Sequence, residues 1–281
     1  MKTHRMPLND GTTIPQLGFG VLFVPDDETE GVVGTALDVG FRHIDTAQLY
    51  HNEAGVGRAL ARSGLPRDEL YVTTKLHNGY HEPARAKASL AESLERLGLD
   101  HADLFLIHWP LPTLYGGDYV STWQALIELR EEGLTTSIGV SNFEPDHLDR
   151  IVAATGVAPA VNQIEVHPYF ANNTARQATR RHGALVEGWS PIARGAVLDD
   201  PVITEIARAR GRTPAQVVLR WHVERGDIVF PKSANRARMV ENLGATEFVL
   251  SPEERAAIDA LDRGESGRTG PHPDTLDIVP D

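Results

Sequence analysis

The feature that most constrains this chain is a beat. Short apolar runs alternate with longer amphipathic stretches almost from end to end. Runs at 17–22, 41–45, 70–75, 102–108, 137–142, 160–166, 184–189 and 227–232 read as strands. Between them, 28–39, 52–63, 83–97, 118–132, 145–154, 173–181 and 214–225 read as helices. Four of these stop at Gly40, Gly64, Gly98 and Gly133, where glycine tolerates the left-handed turn that ends a helix. An extra helix at 201–210 precedes the last crossover, and helices at 237–243 and 252–261 follow the last strand. Strands separated by helices do not pair as hairpins, so the sheet is parallel. Eight such units imply closure, an α/β chain folded as a (β/α)8 TIM barrel.

An open, doubly wound sheet is the weaker alternative. A dinucleotide fold wants G-x-G-x-x-G after its first strand, and this chain has Gly18-Phe19-Gly20 with no third glycine in place. A short N-terminal β-hairpin is expected over 7–16, turning at Asn9-Asp10-Gly11. The tail from Gly264 onward has no period and is rich in Gly, Pro and Asp. It reads as a C-terminal loop at the active-site end. No linker or low-complexity segment interrupts the pattern, so residues 1–281 read as a single domain.

Composition narrows the function classes. The net charge of −12, from 27 basic and 39 acidic residues, argues against nucleic-acid or anionic-membrane binding. The absence of cysteine excludes disulfides, thiolate catalysis and thiolate-held metals. No stretch approaches the roughly 18 consecutive apolar residues of a membrane helix, and the N-terminus lacks a signal-peptide run. A cytoplasmic location is the expectation.

In a parallel barrel the strand C-termini converge on one face, where catalytic groups gather. Asp45, Lys75 and His108 each close a strand-like run, and Tyr50 follows Asp45 by five residues. A phenol, an ammonium, a carboxylate and an imidazole in such places form a proton-donating site. Each also has a plain reading. Tyr50 alone could be a surface aromatic, Asp45 and Lys75 a barrel-mouth ion pair, and His108, before Trp109-Pro110, a packed turn histidine. The 12 histidines raise the question of a metal-dependent hydrolase, with His43, His108 and His167 on strands or their ends. No H-x-H pair lies on the first strand, however, and Lys75 would repel a divalent ion, so no metal is expected.

Read together, these segments resemble the aldo-keto reductase family over nearly the whole chain. The resemblance rests on Gly40-Phe41-Arg42-His43-Ile44-Asp45-Thr46-Ala47 with Tyr50 and Asn52-Glu53, on Thr74-Lys75-Leu76, and on His108-Trp109-Pro110. It continues in Gly139-Val140-Ser141-Asn142-Phe143, Asn162-Gln163, Trp189-Ser190-Pro191 and Pro231-Lys232-Ser233, with Arg238, Glu241 and Asn242. It implies the barrel fold and reversible hydride transfer between NADPH and an aldehyde or ketone. Tyr50 would be the general acid, its phenol made more acidic by Lys75. Asp45 would hold Lys75 charged, and His108 would orient the carbonyl oxygen. Ser141, Asn142 and Gln163 would fix the nicotinamide carboxamide, and Trp189 would stack on its ring. Lys232, Ser233 and Arg238 would clamp the 2′-phosphate. Glu241 and Asn242 would bind the adenine edge. Ser190, Ile192, Arg194 and Gly195 would form a loop over the pyrophosphate.

Within the family the chain resembles the prokaryotic 2,5-diketo-D-gluconate reductase branch, echoed in Gly267-Arg268-Thr269-Gly270-Pro271-His272-Pro273-Asp274. Three positions depart from that pattern: His77 where Trp is usual, Gly188 where Ala is commoner, and Asn235 where a basic residue often stands. Asn235 keeps open a preference for NADH. Leu22, His77 and Trp109 are the expected substrate contacts, with Phe23, Asn142 and the tail from Pro271 to Leu276 around the mouth. The short loop after Trp109-Pro110, with Tyr115, suits small aldehydes and dicarbonyls such as methylglyoxal or 2,5-diketo-D-gluconate better than steroids. The expected partner is a small carbonyl substrate and the expected state a monomer. The alternative is an NADPH-binding sensor or docking protein of the potassium-channel β-subunit type, which shares the barrel.

Overall fold

The computed structural model describes residues 4–279. Two short strands, β1 (Arg5–Pro7) and β2 (Thr13–Pro15), pair antiparallel with Met6 opposite Ile14. The hairpin turns through Gly11 at φ +87°, a left-handed conformation that glycine reaches without strain. Leu8 and Ile14 pack with Tyr71, Leu104, Leu106, Val161 and Ile228, so the hairpin plugs one end of the barrel.

The barrel strands are β3 (Phe19–Gly20), β4 (His43–Asp45), β5 (Tyr71–Leu76), β6 (Ala102–Ile107), β7 (Thr135–Ser141), β8 (Val161–Glu165), β9 (Leu185–Trp189) and β10 (Ile228–Val229). They pair in chain order, every neighbour parallel. A parallel bridge between Leu17 and Val229 joins the two ends. There Gly18 donates its N–H to Val229 O at 2.9 Å, and Val229 donates to Gln16 O at 3.1 Å. The cylinder is therefore closed, as the eight-unit beat implied. The first and last strands are shorter than the sequence suggested. Pro231 has no N–H to continue a ladder, and the last strand stops before it. At Gly18 a side chain would not fit, because a Cβ would lie 2.6 Å from the Phe230 ring.

Helices α1 (Asp26–Val39), α2 (Glu53–Arg62), α3 (Pro83–Leu97), α4 (Val120–Glu131), α5 (Pro145–Thr155), α6 (Asn173–Arg181), α7 (Pro201–Arg210), α8 (Pro214–Glu224), α9 (Arg236–Leu243) and α10 (Pro252–Asp259) complete the chain. Their apolar faces make three clusters against the strands. The expected stops are real caps: Gly40 and Gly98 adopt the left-handed conformation and donate back to the last turns of α1 and α3. Among the described residues no helix is long and apolar enough to cross a membrane.

One layer inside the barrel is not apolar. Asp45, Lys75, Gln163 and Glu187 are all buried there. Their side chains enter from β4, β5, β8 and β9, and they form the floor on which the site stands.

Candidate active site

Lys75 is fully buried on β5. Its ammonium donates to Asp45 Oδ1 at 2.7 Å, to Thr46 O at 2.9 Å and to Tyr50 Oη at 3.2 Å. An ammonium has three protons, so this one is saturated. Tyr50 is brought there by a single 3-10 turn, Gln48–Tyr50, directly after β4. Because its oxygen accepts from Lys75, its own O–H is left to point elsewhere. His108 follows β6, and its ring meets the Tyr50 ring edge-on with centroids 5.8 Å apart. The structure thus gathers all four residues expected from the strand ends.

Burial pushes the Lys75 ammonium toward the neutral form, but the Asp45 carboxylate and Tyr50 more than offset this and leave its pKa above the ordinary value. For Tyr50 the balance differs from the sequence expectation. Burial is the largest influence and pushes the phenol up; Lys75 pulls it down, Asp45 opposes Lys75, and the result lies above the ordinary value. In the protein as it stands the phenol is held protonated, not loosened. His108 is pushed well below its ordinary value by burial first and by the Lys75 charge second. It is a neutral imidazole. Its Nδ1 is buried with no partner, which favours the tautomer carrying the proton on Nε2 and presenting it to the cavity.

Asp45 is held from its other side. Gln163 Nε2 donates to Asp45 Oδ2 at 2.8 Å and to Glu187 Oε2 at 2.9 Å. The Asp45 carboxylate has no proton to give and needs the amide nitrogen, so the Gln163 carbonyl oxygen is the end left for a ligand. Sequence reasoning missed Glu187. Burial, with the Asp45 charge adding to it, pushes its pKa up to about 8. Its Oε1 has no partner, which a neutral acid tolerates far better than a carboxylate.

Above this floor opens a cavity of about 610 Å³. Tyr50, His108, Asn142, Gln163 and Trp189 line it, as do the expected substrate contacts Leu22 and Trp109. Ser141 Oγ donates to Gln163 O at 2.7 Å. Asn142, at φ 63°, donates to His108 O at 2.9 Å and accepts the Trp189 indole N–H at 2.9 Å. Ser190, Ile192, Arg194 and Lys232 also line the cavity wall. Ser233, Arg238, Glu241 and Asn242 stand beyond this wall, on or beside α9. Glu241 is engaged by the Thr213 hydroxyl at 2.7 Å. Asn235, an off-pattern residue, caps α9 by accepting from the N–H groups of Ala237 and Arg238.

The structure does not bring His77 to the cavity wall. Its Nδ1 accepts from Gly79 N at 3.0 Å and its ring packs on Tyr80 at 4.8 Å. Of the tail, Gly270 and Pro271 reach the cavity. Nor do the strand histidines converge. His43 is tied to Pro15 O and Thr73, and His167 to Glu165. Among the described residues no three His, Cys, Asp or Glu side chains cluster to hold a metal.

The model of the Aldo/keto reductase family matches residues 16–263. The chain belongs to this family. An aldo-keto reductase of Mycolicibacterium smegmatis is 46% identical over 275 residues, 98% of each chain. The methylglyoxal reductase DkgA of Escherichia coli is 44% identical over 269 residues, 95% of this chain and 96% of the relative. Among solved structures, a mutant of Gox0644 in complex with NADPH superposes with a TM-score of 0.94 at 45% identity, covering 99% of this chain and all of that one. As an aldo-keto reductase the protein is an NADP-dependent oxidoreductase.

Proposed function

We propose that this aldo-keto reductase uses NADPH to reduce small aldehydes and ketones, dicarbonyls of the methylglyoxal and 2,5-diketo-D-gluconate kind among them. One observation carries the reading. The Lys75 ammonium directs all three protons to Asp45, Thr46 and Tyr50, so the phenol sits against a fixed positive charge while its own O–H remains available to donate to an oxygen in the cavity. The names of the relatives support the substrate class and the cofactor.

The residues present fit NADPH. Arg236 and Arg238 lie in the first turn of α9 and Lys232 in the segment before it, and among the described residues none has a carboxylate within salt-bridge reach. Two basic residues in the first turn of a helix are unfavourable beside its dipole unless an anion joins them. Lys232, Ser233 and Arg238 would take the 2′-phosphate, Trp189 would offer its flat face to the nicotinamide, and Ser141, Asn142 and the Gln163 carbonyl would fix the carboxamide. When bound, the cofactor supplies a hydride to the carbonyl carbon.

The chain's own groups handle the oxygen. His108, neutral with its proton on Nε2, donates a hydrogen bond that orients the carbonyl and draws charge onto oxygen. Tyr50 gives that oxygen its proton. The phenolate left behind rests against Lys75, which Asp45 keeps charged. Leu22 and Trp109 wall the site with apolar surface and keep water from competing.

The test is NADPH consumption, beside NADH, with a panel of small carbonyls for the wild type and Tyr50→Phe. The expected result is turnover that falls by at least about 100-fold in the mutant, with NADPH binding retained. Equal turnover in both proteins would remove Tyr50 from its role, and no turnover with any carbonyl would remove the reaction.

A further inference from the structure

Glu165 ends β8 two residues beyond Gln163, so both side chains lie on the same face of the strand. Gln163 faces the cavity. Glu165 is 1% exposed yet does not line the cavity, because the C-terminal tail covers it. Its carboxylate accepts from Thr269 N at 2.7 Å, from the Thr269 hydroxyl, from Gly270 N at 2.9 Å and from His167 Nε2 at 3.0 Å. A carboxylate offers about four acceptor sites, and here four donors fill them. Burial would raise its pKa, but His167, the Thr269 hydroxyl and the tail N–H groups outweigh burial and leave it below the ordinary value.

The tail that Glu165 holds is pressed onto the site. A Cβ on Gly270 would stand 2.5 Å from Cη2 of Trp189 and 3.2 Å from the Glu165 carboxylate. On its other side the indole is fixed by the 2.9 Å bond from Trp189 Nε1 to Asn142 Oδ1. Trp189, Gly270 and Pro271 all line the cavity. Other tethers of the tail are Arg268 to Glu144 at 3.5 Å, with 10% and 17% of the side chains exposed, His147 to Asp274 at 3.3 Å, with Asp274 over half exposed, and Asn78 Nδ2 to Ile278 O at 3.1 Å. Among these tethers the most deeply buried charge is that of Glu165, which is 1% exposed.

We propose that Glu165 is a positioning residue that clasps residues 269–271 against Trp189 and thereby sets the cavity wall that meets the nicotinamide and the carbonyl substrate. The assignment rests on the carbonyl-reductase reading for its kinetic consequence and on the contacts alone for its structural one. It separates two parts of the site. Asp45, Tyr50, Lys75 and His108 share no hydrogen bond with Glu165, so loosening the clasp changes how substrate is held and leaves the proton transfer intact.

The experiment pairs steady-state kinetics with limited trypsin digestion of the full chain. Trypsin cuts after arginine, and the bond from Arg268 to Thr269 lies inside the clasp. Glu165→Gln replaces one acceptor oxygen by an NH2 group that must face a tail donor, so the segment lifts. The expected result is cleavage after Arg268 accelerated at least tenfold, KM for methylglyoxal or for NADPH raised about tenfold, kcat within about threefold of wild type and an unchanged circular dichroism spectrum. Gly270→Ala, which strikes the indole directly, is expected to do the same from the other side. Glu165→Asp, which keeps the carboxylate, is expected to recover part of both effects.

Unchanged cleavage in Glu165→Gln overturns the clasp. Faster cleavage with both KM values unchanged overturns its role in the cavity wall. A fall in kcat with KM unchanged overturns the separation from the proton-transfer groups. Should Glu165→Gln fail to fold, Gly270→Ala decides by the same measures. A wild type that reduces no carbonyl refutes the proposed reaction, and the digestion then judges the clasp by itself.

Discussion

Asp45 and Glu187 are tied through the two protons of one amide, donated by Gln163 at 2.8 and 2.9 Å. The tie works because the two acids differ in charge. Glu187 is buried, beside the charge of Asp45, and its pKa is pushed up to about 8. In the unfolded chain a glutamate ionises near pH ~4.3. Between these values the folded chain binds one proton more than the unfolded chain, so this group's contribution to stability falls as pH rises. Glu187→Gln keeps the shape and removes the titration. Its stability relative to wild type should therefore rise from pH 5 to 8, by at most about 1.4 kcal/mol per pH unit. Urea midpoints measured for both proteins across that range check this, and parallel curves would sink it.

The same floor predicts a split between stability and activity. Removing the ammonium in Lys75→Met leaves the Asp45 carboxylate buried and uncompensated, which destabilises a protein by about 3–5 kcal/mol. It also removes the charge beside the Tyr50 phenol. Asp45→Asn combined with Lys75→Met removes both charges. The double mutant should regain most of the lost stability while its turnover stays at least about 100-fold down. Thermal unfolding and turnover of the three proteins measure this. Recovery of turnover together with stability would show that Lys75 only holds the fold.

His108 and Tyr50 fix the shape of the pH profile. Burial and the Lys75 charge push His108 well below its ordinary value, so it does not titrate in the neutral range. Burial raises Tyr50 above the ordinary phenol value despite Lys75, so its proton persists to alkaline pH. Carbonyl reduction should run flat from pH 6 to 8 and decline only on the alkaline side. A decline below pH 7 that vanished in His108→Gln would mean that His108 carries a titrating proton, contrary to this environment.

Much of this architecture is legible in the sequence. Pro83 and Gly98 bracket α3 where the pattern put them, because proline at a helix start and glycine just past its end act locally. Tyr50, Lys75, Asp45 and His108 are visible as polar groups at strand ends. Glu165 and Glu187 are not, because a lone carboxylate in an apolar strand carries no period and its partners are remote. Gln163 reaches Asp45 across 118 positions, and Glu165 reaches Thr269 across 104. The direction of the Tyr50 shift escaped for the same reason. The sequence shows an ammonium among the strand ends but not how much water the fold removes from the phenol. The position of His77 after Lys75-Leu76 points to the substrate mouth, whereas its side chain turns to Gly79 and Tyr80.

Two glycines near Trp189 give opposite predictions. Gly188, the departure noted where alanine is commoner, is not in the left-handed region, and a Cβ there would meet Val229 at 3.4 Å and the His222 ring at 3.5 Å. Those are ordinary contacts. A strand glycine gives up more backbone entropy on folding than alanine does. Gly188→Ala should therefore be tolerated and should stabilise by about 0.5–1 kcal/mol, with turnover near wild type. Gly270 has no such room, since its Cβ would lie 2.5 Å from the Trp189 indole. The difference lies in which neighbour must yield: at Gly188 nothing moves, whereas at Gly270 either the indole or the tail gives way. Melting temperature and KM for the two alanine variants side by side test this. A Gly188→Ala protein as damaged as Gly270→Ala would mean that the wall around Trp189 is packed as tightly from its own strand as from the tail.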